Sequence, residues 1–524
     1  MAKTSRKKAA GPRGRRGRIA LWVSCGVLLL LLLVAGGASI ALHRILTTGK
    51  IKEWANKNPE ELRIEYASAS GWVPWDVHVS GFELRNRDPN VEFYFRLDEA
   101  RLSFSVLGLL AHELHFTRVR GSGLDYRLRI RPEPSQKAPE HFAALAPIPG
   151  FPERPLIAEE ESEAAPGPAG ASKSKENPGP PASSGSETSS SRPFRLNFDN
   201  LHIDGVRQVW IDIYRYRGQG TLDGSFNILT RRHAQVGPAR LALSGGDLTL
   251  GKHVIARRAA FEVNAVIRQY DPRQLRGNAV WPRISGRIRL DGPLAGLEFL
   301  NYFIDGEPRL SGGAGMAHLA VDVEEGIGKA KVELTSRGVL AHYKKSDLRS
   351  DAALRVKIDP WTFEKDRMNL SGTRIELTHA TEGGTGPDSR DWWGKFDLPS
   401  ADIDSNRAAA FRTRVSLSCR DARPLFTLFD TSLPGWARGI LKLEGLQATA
   451  HVDLGKSLLD IEGLDAKGGA FRIRGRLRTT GTTRKGALLV EGGLLNVGLD
   501  IEGPSSKLKL VGAKSWYEGE AWTR

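Results

Sequence analysis

The chain has 524 residues, a formal charge of +16, 57 Gly, 28 Pro and two Cys. That length admits several domains or one long repetitive one, and two cysteines exclude a disulfide framework or a thiolate metal cluster. Half of the charge lies in the first 18 residues, which hold eight Lys and Arg and no acid. A nucleic-acid-binding domain concentrates its basic residues on a folded surface instead.

After this basic tail (residues 1–18), Ile19 to Leu42 carries no charge. Such a run is long enough to cross a hydrocarbon core of roughly 30 Å as a helix, and we expect a transmembrane helix over 19–43. The basic flank predicts a cytoplasmic N-terminus with the bulk of the chain exported. The alternative is a cleaved signal peptide with Ser39 to Ala41 at the cleavage site, although a signal core is usually only 7–15 residues.

Residues 44–130 read as a first β-domain, opening with a short helix near Ile51 to Leu62. "DVHVSGFELRN", "VEFYFRLDEARLSFSV" and "HELHFTRVRGSGLDYRLRI" alternate apolar and polar residues, with turn signals at Asp88-Pro89-Asn90 and Gly121-Ser122-Gly123. Residues 131–193, rich in Pro, Ala, Ser, Gly and Glu, lack the apolar content that offsets ordering entropy and read as a disordered insertion. From 194 to 524 short strands recur every 10 to 20 residues. Helical character is confined to Pro293–Ile304 and to Asp421–Ala437, which Pro434 interrupts. The fold class is all-β and mainly antiparallel, because crossover helices are missing.

"AFRIRGRLR" sets the question of which strand face carries function. Arg472, Arg474, Arg476 and Arg478 alternate with Phe471, Ile473 and Leu477, so arginines and apolar residues take opposite faces. Other polar faces vary in sign: Glu262 and Asn264; His318 and Asp322; Lys329, Lys331 and Glu333. The apolar faces vary less: Phe261 and Val263; Leu319 and Val321; Val332 and Leu334. A nucleic-acid groove needs basic residues and stacking aromatics on one shared face, which this pattern does not provide. The arginine row reads as a solvated back, with anionic headgroups or a partner as the secondary reading.

A sheet wetted on one side covers the other with a second sheet, helices or a ligand. Closed sandwiches or barrels are one solution. The other is a long curled sheet whose apolar groove holds acyl chains, lined by Phe261, Val263, Leu319, Val321, Val332, Leu334, Phe471, Ile473 and Leu477.

No catalytic constellation is legible, and neither a cofactor nor a metal is expected. "HELH" (His112 to His115) has histidines three apart in strand-like sequence, where the metalloprotease pattern requires four on a helix. Asp199, His202 and Asp204 resemble acid–base material but are expected on different faces, with no nucleophile elbow to pair with them. "GGAGMAH" and "TEGGTGPDSRDWWGK" read as loops, and Ser506 with Lys509 as a strand coincidence.

In order and texture the chain resembles the AsmA-like family, relatives of TamB and of bridge-like lipid-transfer proteins. The similarity lies in the single N-terminal anchor and in "VHVSGFELRNRDPNVEFYFRLDEARLSFSVLGLLAHELHFTRVRGSGLDYRLRI". "FRLNFDNLHIDGVRQVWIDIYRYRGQGTLDGSFNI" and "GALLVEGGLLNVGLDIEG" extend it. The resemblance implies an inner-membrane-anchored periplasmic protein of a Gram-negative envelope, with a repeating β-groove for phospholipid movement or outer-membrane homeostasis. It implies no catalytic residue. Trp516, Tyr517 and Trp522 are expected near an interface or partner, and the last strand is expected to offer an edge to another envelope β-protein. The alternative is a periplasmic scaffold or assembly factor with closed β-sandwich domains and no lipid cargo.

Overall fold

The computed structural model describes residues 52–53, 56, 62–73, 76–87, 91–105, 108, 113–131, 139–152, 195–229, 233–303, 309–343, 346–382, 391–404, 410–421, 444–455, 457–493, 495–503 and 505–519. The run Ile19 to Leu42, His112, Trp522 and the helix expected after Asp421 lie outside them. Of the helix expected near Ile51, only Lys52 and Glu53 are described as helical. No helix among the described residues is long and apolar enough to cross a membrane.

Most described residues are strand, in one hydrogen-bonded sheet. In chain order it begins with β1 (Leu62–Glu65), β2 (Ser68–Val73), β3 (Asp76–Arg87), β4 (Val91–Phe104), β5 (Glu113–Ser122) and β6 (Asp125–Ile130), followed by the short helix α1 (Pro139–Ala144). Next come β7 (Arg195–Asp204), β8 (Gln208–Ile211), β9 (Tyr214–Leu229), β10 (His233–Leu250), β11 (His253–Tyr270), β12 (Ile284–Leu294), β13 (Arg309–Glu324), β14 (Ile327–Tyr343) and β15 (Ser346–Thr362). The remainder are β16 (Arg367–Asn369), β17 (Thr373–Glu382), β18 (Trp393–Asp404), β19 (Phe411–Cys419), β20 (Leu446–Leu454), β21 (Leu458–Gly468), β22 (Phe471–Thr480), β23 (Thr483–Gly492), β24 (Leu495–Glu502), β25 (Ser505–Lys509) and helix α2 (Ala513–Gly519). From β9 to β15 each strand pairs antiparallel with the next. The meander then continues to β25, with the short β16 inserted beside β15 and β18.

At its start the sheet is not a plain meander: its pairings run β4–β5–β7–β9–β8–β6 and back to β4, a ring that two interrupted strands create, while β3 and β10 take the outer sides of β4 and β9. Glu99 faces Ser122 in β5 and Arg96 faces Asp125 in β6, so β5 and β6 run as one interrupted strand along β4. The Gly121-Ser122-Gly123 signal is therefore a break in a strand and not a hairpin turn. Leu124 and Val206, 0% and 1% exposed, fill the two interruptions.

Two pairings, β5–β7 and β6–β8, are parallel. Parallel neighbours need a crossover of a dozen or more residues, and the segment between β6 and β7, residues 131–194, is long enough for one. Residues 139–152 of that segment are ordered where disorder is expected. Behind α1, Leu145, Ala146 and Ile148 are buried, and Arg127 and Arg85 donate to the carbonyls of Pro147 and Pro149 at 2.7 and 2.9 Å. Composition does not reveal this because sheet arginines, together with the buried Leu145, Ala146 and Ile148, hold this strap down.

Two short 3-10 helices cover the sheet's rims. Glu298–Tyr302 falls in the expected helical stretch, though β12 runs through Pro293 first. Gly277–Arg283 falls in sequence that had read as strand and turn.

Candidate functional site

The candidate site is the apolar face of the sheet, and cross-strand register builds it. From Ala69 in β2, successive partners are Val79, Ala100, Gly121, Ile203 and Leu222. The same line continues through Leu241, Val263, Ile288, Val321, Ala330 and Ile358. Every member is apolar across twelve successive strands. A second line starts at Gly292 and runs through Ala317, Leu334, Leu354, Ile375 and Phe396. It goes on through Leu417, Ala448, Ala466, Ile473, Val490 and Val497 in β24. The two lines overlap in β12–β15, and at ~4.8 Å per strand together they cover on the order of 90 Å of sheet.

All nine sequence-predicted lining residues fall on this face. Val263 and Val321 lie in the first line, Leu334 and Ile473 in the second. Phe261, Leu319 and Val332 share a third, with Leu290 between the first two of them. Phe471 and Leu477 flank Ile473 on β22. Val321 and Leu334 are 8% and 9% exposed, while the other seven are half-buried. The two glycines are places where neighbours already fill the space. A Cβ on Gly121 would stand 2.7 Å from Leu97 Cδ1, and one on Gly292 would stand 2.8 Å from Ala259 Cα.

Filling differs along the face. Within the ring, Leu97, Ala100 and Ile203 are at most 1% exposed, and Phe116, Phe198 and Phe226 stack in series with centroids 4.7 and 4.1 Å apart. An apolar cavity of about 50 Å³ lies beside it, between Ile64, Val79 and Phe116. A larger cavity of about 310 Å³, lined by His233, Tyr270, Asp271 and Arg283, is polar and lies at the rim by the 3-10 helix Gly277–Arg283.

The opposite face is charged and largely neutralised in place. Arg287 and Arg289 both donate to Asp322, at 2.7 and 3.0 Å, and His318 meets Asp291 at 2.5 Å. The arginine row behaves alike: Arg472 bonds Asp465 at 2.8 Å, Arg474 bonds Glu491 at 3.1 Å, and Arg478 pairs with Asp460. It is only partly solvated, which corrects the reading of a wet back. Helix α2 lies over its middle, with Glu518 accepting from Arg474 at 3.2 Å and the Tyr517 ring 5.5 and 5.3 Å from the Arg474 and Arg476 guanidinium carbons. Trp516 fits over Gly498, above Leu489 at 0% exposure. β25 pairs with β24 and, among the described residues, with no other strand.

The remaining motifs resolve as follows. His115 Nε2 meets Asp199 at 2.6 Å across the parallel β5–β7 pair. His202 and Asp204 share a face, contrary to expectation, because they stand two residues apart on β7. His202 contacts Asp204 at 3.3 Å and Asp223 at 2.6 Å, and the Asp223 hydrogen bond raises its pKa above the ordinary histidine value. "GGAGMAH" lies inside β13 and not in a loop, with positive φ at Gly312 and Gly313. Of "TEGGTGPDSRDWWGK", the ends belong to β17 and β18, and the centre lies outside the described residues. No group of three or more metal-ligating side chains occurs among the described residues.

Sequence reasoning missed a buried ion cluster beside the ring. Glu92 and Arg129, both 0% exposed, pair at 2.6 Å, and Arg87 reaches the second Glu92 oxygen at 2.8 Å. Arg129 also donates to the strap carbonyls of Pro152 and Ala146. The alternation of β4 and β6 does place Glu92 and Arg129 on the polar face. Only the docking of residues 142–152 buries them.

Compared with known proteins, the chain matches no family model, no curated protein and no solved structure.

Proposed function

We propose that the chain is a membrane-anchored envelope protein that takes phospholipid acyl chains along the apolar sheet face and conducts them between membranes without catalysis. In this reading the face curls into a groove, the bilayer anchor is Ile19 to Leu42, and the exported bulk is periplasmic. One observation carries the proposal: apolar residues stay in register, without a polar interruption, from Ala69 to Ile358 and from Gly292 to Val497. Half-buried Val263, Leu319, Val332 and Ile473 are placed where hydrocarbon tails would complete their burial, each buried CH₂ contributing ≈ 0.8 kcal/mol. The neutralised opposite face is suited to water.

The test is mass spectrometry of the full chain purified in detergent and washed extensively. Phospholipid that co-purifies near stoichiometry, and that is lost when Val263 and Leu319 are both changed to Glu in a folded protein, supports the reading. An empty wild-type chain overturns it.

A second reading, a scaffold with filled β-modules, is favoured by the ring, where Leu97 and Ile203 at 0% exposure leave no room for cargo. On that reading Val263→Glu with Leu319→Glu unfolds the chain.

A further inference from the structure

Four of the exposed large apolar side chains lie together on the rim. Ile130 is 49% exposed, Ile211 39%, Tyr214 41% and Phe303 59%. Ile211 and Tyr214 are paired across the β8–β9 turn. Burial raises the Tyr214 pKa, with the Asp212 charge and then Tyr302 adding to it, and Tyr302 packs against Phe303 with ring centroids 5.3 Å apart. Two exposed cations flank these residues. Lys252 follows Gly251, whose N–H bonds the carbonyl of Ile213, and Arg309 donates to the carbonyl of Asn301. The one acid at the turn is Asp212.

Register fixes where this patch lies relative to the entry of the chain. One line of cross-strand partners runs Leu62, Asn86, Phe93, Leu128, Ile211, Tyr214. Five spacings of ~4.8 Å put Tyr214 roughly 24 Å from Leu62. Leu62 is twenty residues after Leu42, where the charge-free run ends. A linker of that length reaches on the order of 60–70 Å when extended, so the patch is within easy reach of whatever surface holds the run. Val209 and Tyr216, the next residues inward on the same face of β8 and β9, belong to the buried core, so the patch is the outer lip of the apolar face.

We propose that this lip, formed by Ile130, Ile211, Tyr214, Tyr302 and Phe303 with Lys252 and Arg309 beside it, rests in the interfacial layer of the bilayer that anchors the chain. Tyrosine and Phe at the headgroup level with adjacent Lys and Arg are the chemistry of a lipid–water boundary, and anionic headgroups pair with the two cations. The inference rests on the anchor reading of Ile19 to Leu42 and deepens the proposed function: the lip is where the apolar face opens toward lipid.

The experiment uses the full chain with Cys25→Ser, reconstituted in vesicles of phosphatidylethanolamine and phosphatidylglycerol. An environment-sensitive fluorophore is placed by Phe303→Cys at the lip, by Lys331→Cys on the polar face, or by Val332→Cys on the apolar face. Lipid bearing a headgroup-linked quencher is then added. Loss of emission at 303, absent at 331, weaker at 332 and reversed by Lys252→Glu with Arg309→Glu, is expected. Equal emission loss at all three positions, or none at 303 while the chain floats with the vesicles, overturns the lip and leaves the anchor standing. A chain that fails to float overturns both.

Discussion

At the scale of single residues, the buried Arg87–Glu92–Arg129 cluster is the most sensitive point. Removing one partner of a buried pair strands the other charge, at a cost of about 3–5 kcal/mol. Glu92→Ala should lower stability by that order in urea titration, and Glu92→Leu with Arg129→Met should cost less than the sum of the single changes. Full additivity would mean the pair is not coupled. Cys419 gives a second check. It is 0% exposed, and burial, helped by the nearby Asp421 charge, pushes its thiol up to about 12. It should stay unalkylated at neutral pH until denaturant is added, and rapid labelling of the native protein would contradict its placement. His202 supplies a pH dependence. Its folded pKa is raised, chiefly by Asp223, so its stabilisation is present below the unfolded histidine value of about 6.5 and fades as pH rises through the folded value. The melting difference between wild type and His202→Gln should therefore be larger near pH 6 than near pH 8, and a difference that grows with pH would refute the pairing. At this scale alternation made the arginine row and the nine lining residues legible. The acids that neutralise the row were not, because they come from neighbouring strands whose register no single segment encodes.

At the scale of elements, the two pieces that lie across the polar face decide what that face offers. Strap residues 142–152 and helix α2 are both short, and neither has the apolar periodicity that announces a helix. Both are held by contacts to arginines of the sheet. This is why composition points to disorder for the first, and why the aromatics of the second are expected at an interface or partner. Helix α2 depends on close approach: a Cβ at Gly498 would stand 2.8 Å from the Trp516 ring. Gly498→Val should displace the helix, uncover Leu489 and shift Trp emission to the red, with the strand signal in far-UV circular dichroism retained. An unchanged emission spectrum would show that Trp516 does not pack there. Strand identity, by contrast, was legible almost throughout, since alternation and turn residues mark each segment. The parallel β5–β7 and β6–β8 pairs were not, because pairing direction depends on what the segment between β6 and β7 permits.

At the scale of the whole molecule, the question is whether one physical description serves both ends of the apolar face. The sequence shows that each strand has an apolar side. It does not show whether those sides are sealed, because sealing depends on how far side chains from neighbouring strands fill the face, and no single segment encodes that. The structure separates two regimes: Leu97, at 0% exposure, fills the place a Gly121 side chain would take, while Val332 on β14 is half-buried beside Leu319 and Val356. An unpaired carboxylate forced into a fully buried site costs several kcal/mol, a large part of the 5–15 kcal/mol that holds a typical domain together. Leu97→Asp should therefore abolish the cooperative unfolding of the core that Leu97 shares with Ile203 and Leu243. Val332→Asp, whose carboxylate can turn toward solvent, should leave the melting transition within a few degrees of wild type, at a cost of about 1 kcal/mol. It should also reduce the phospholipid recovered with the purified chain. Both quantities are read from the same preparation, by calorimetry and lipid mass spectrometry. If Val332→Asp unfolds as Leu97→Asp does, the face is filled by its own side chains along its length, and a lipid-conducting role loses its physical basis.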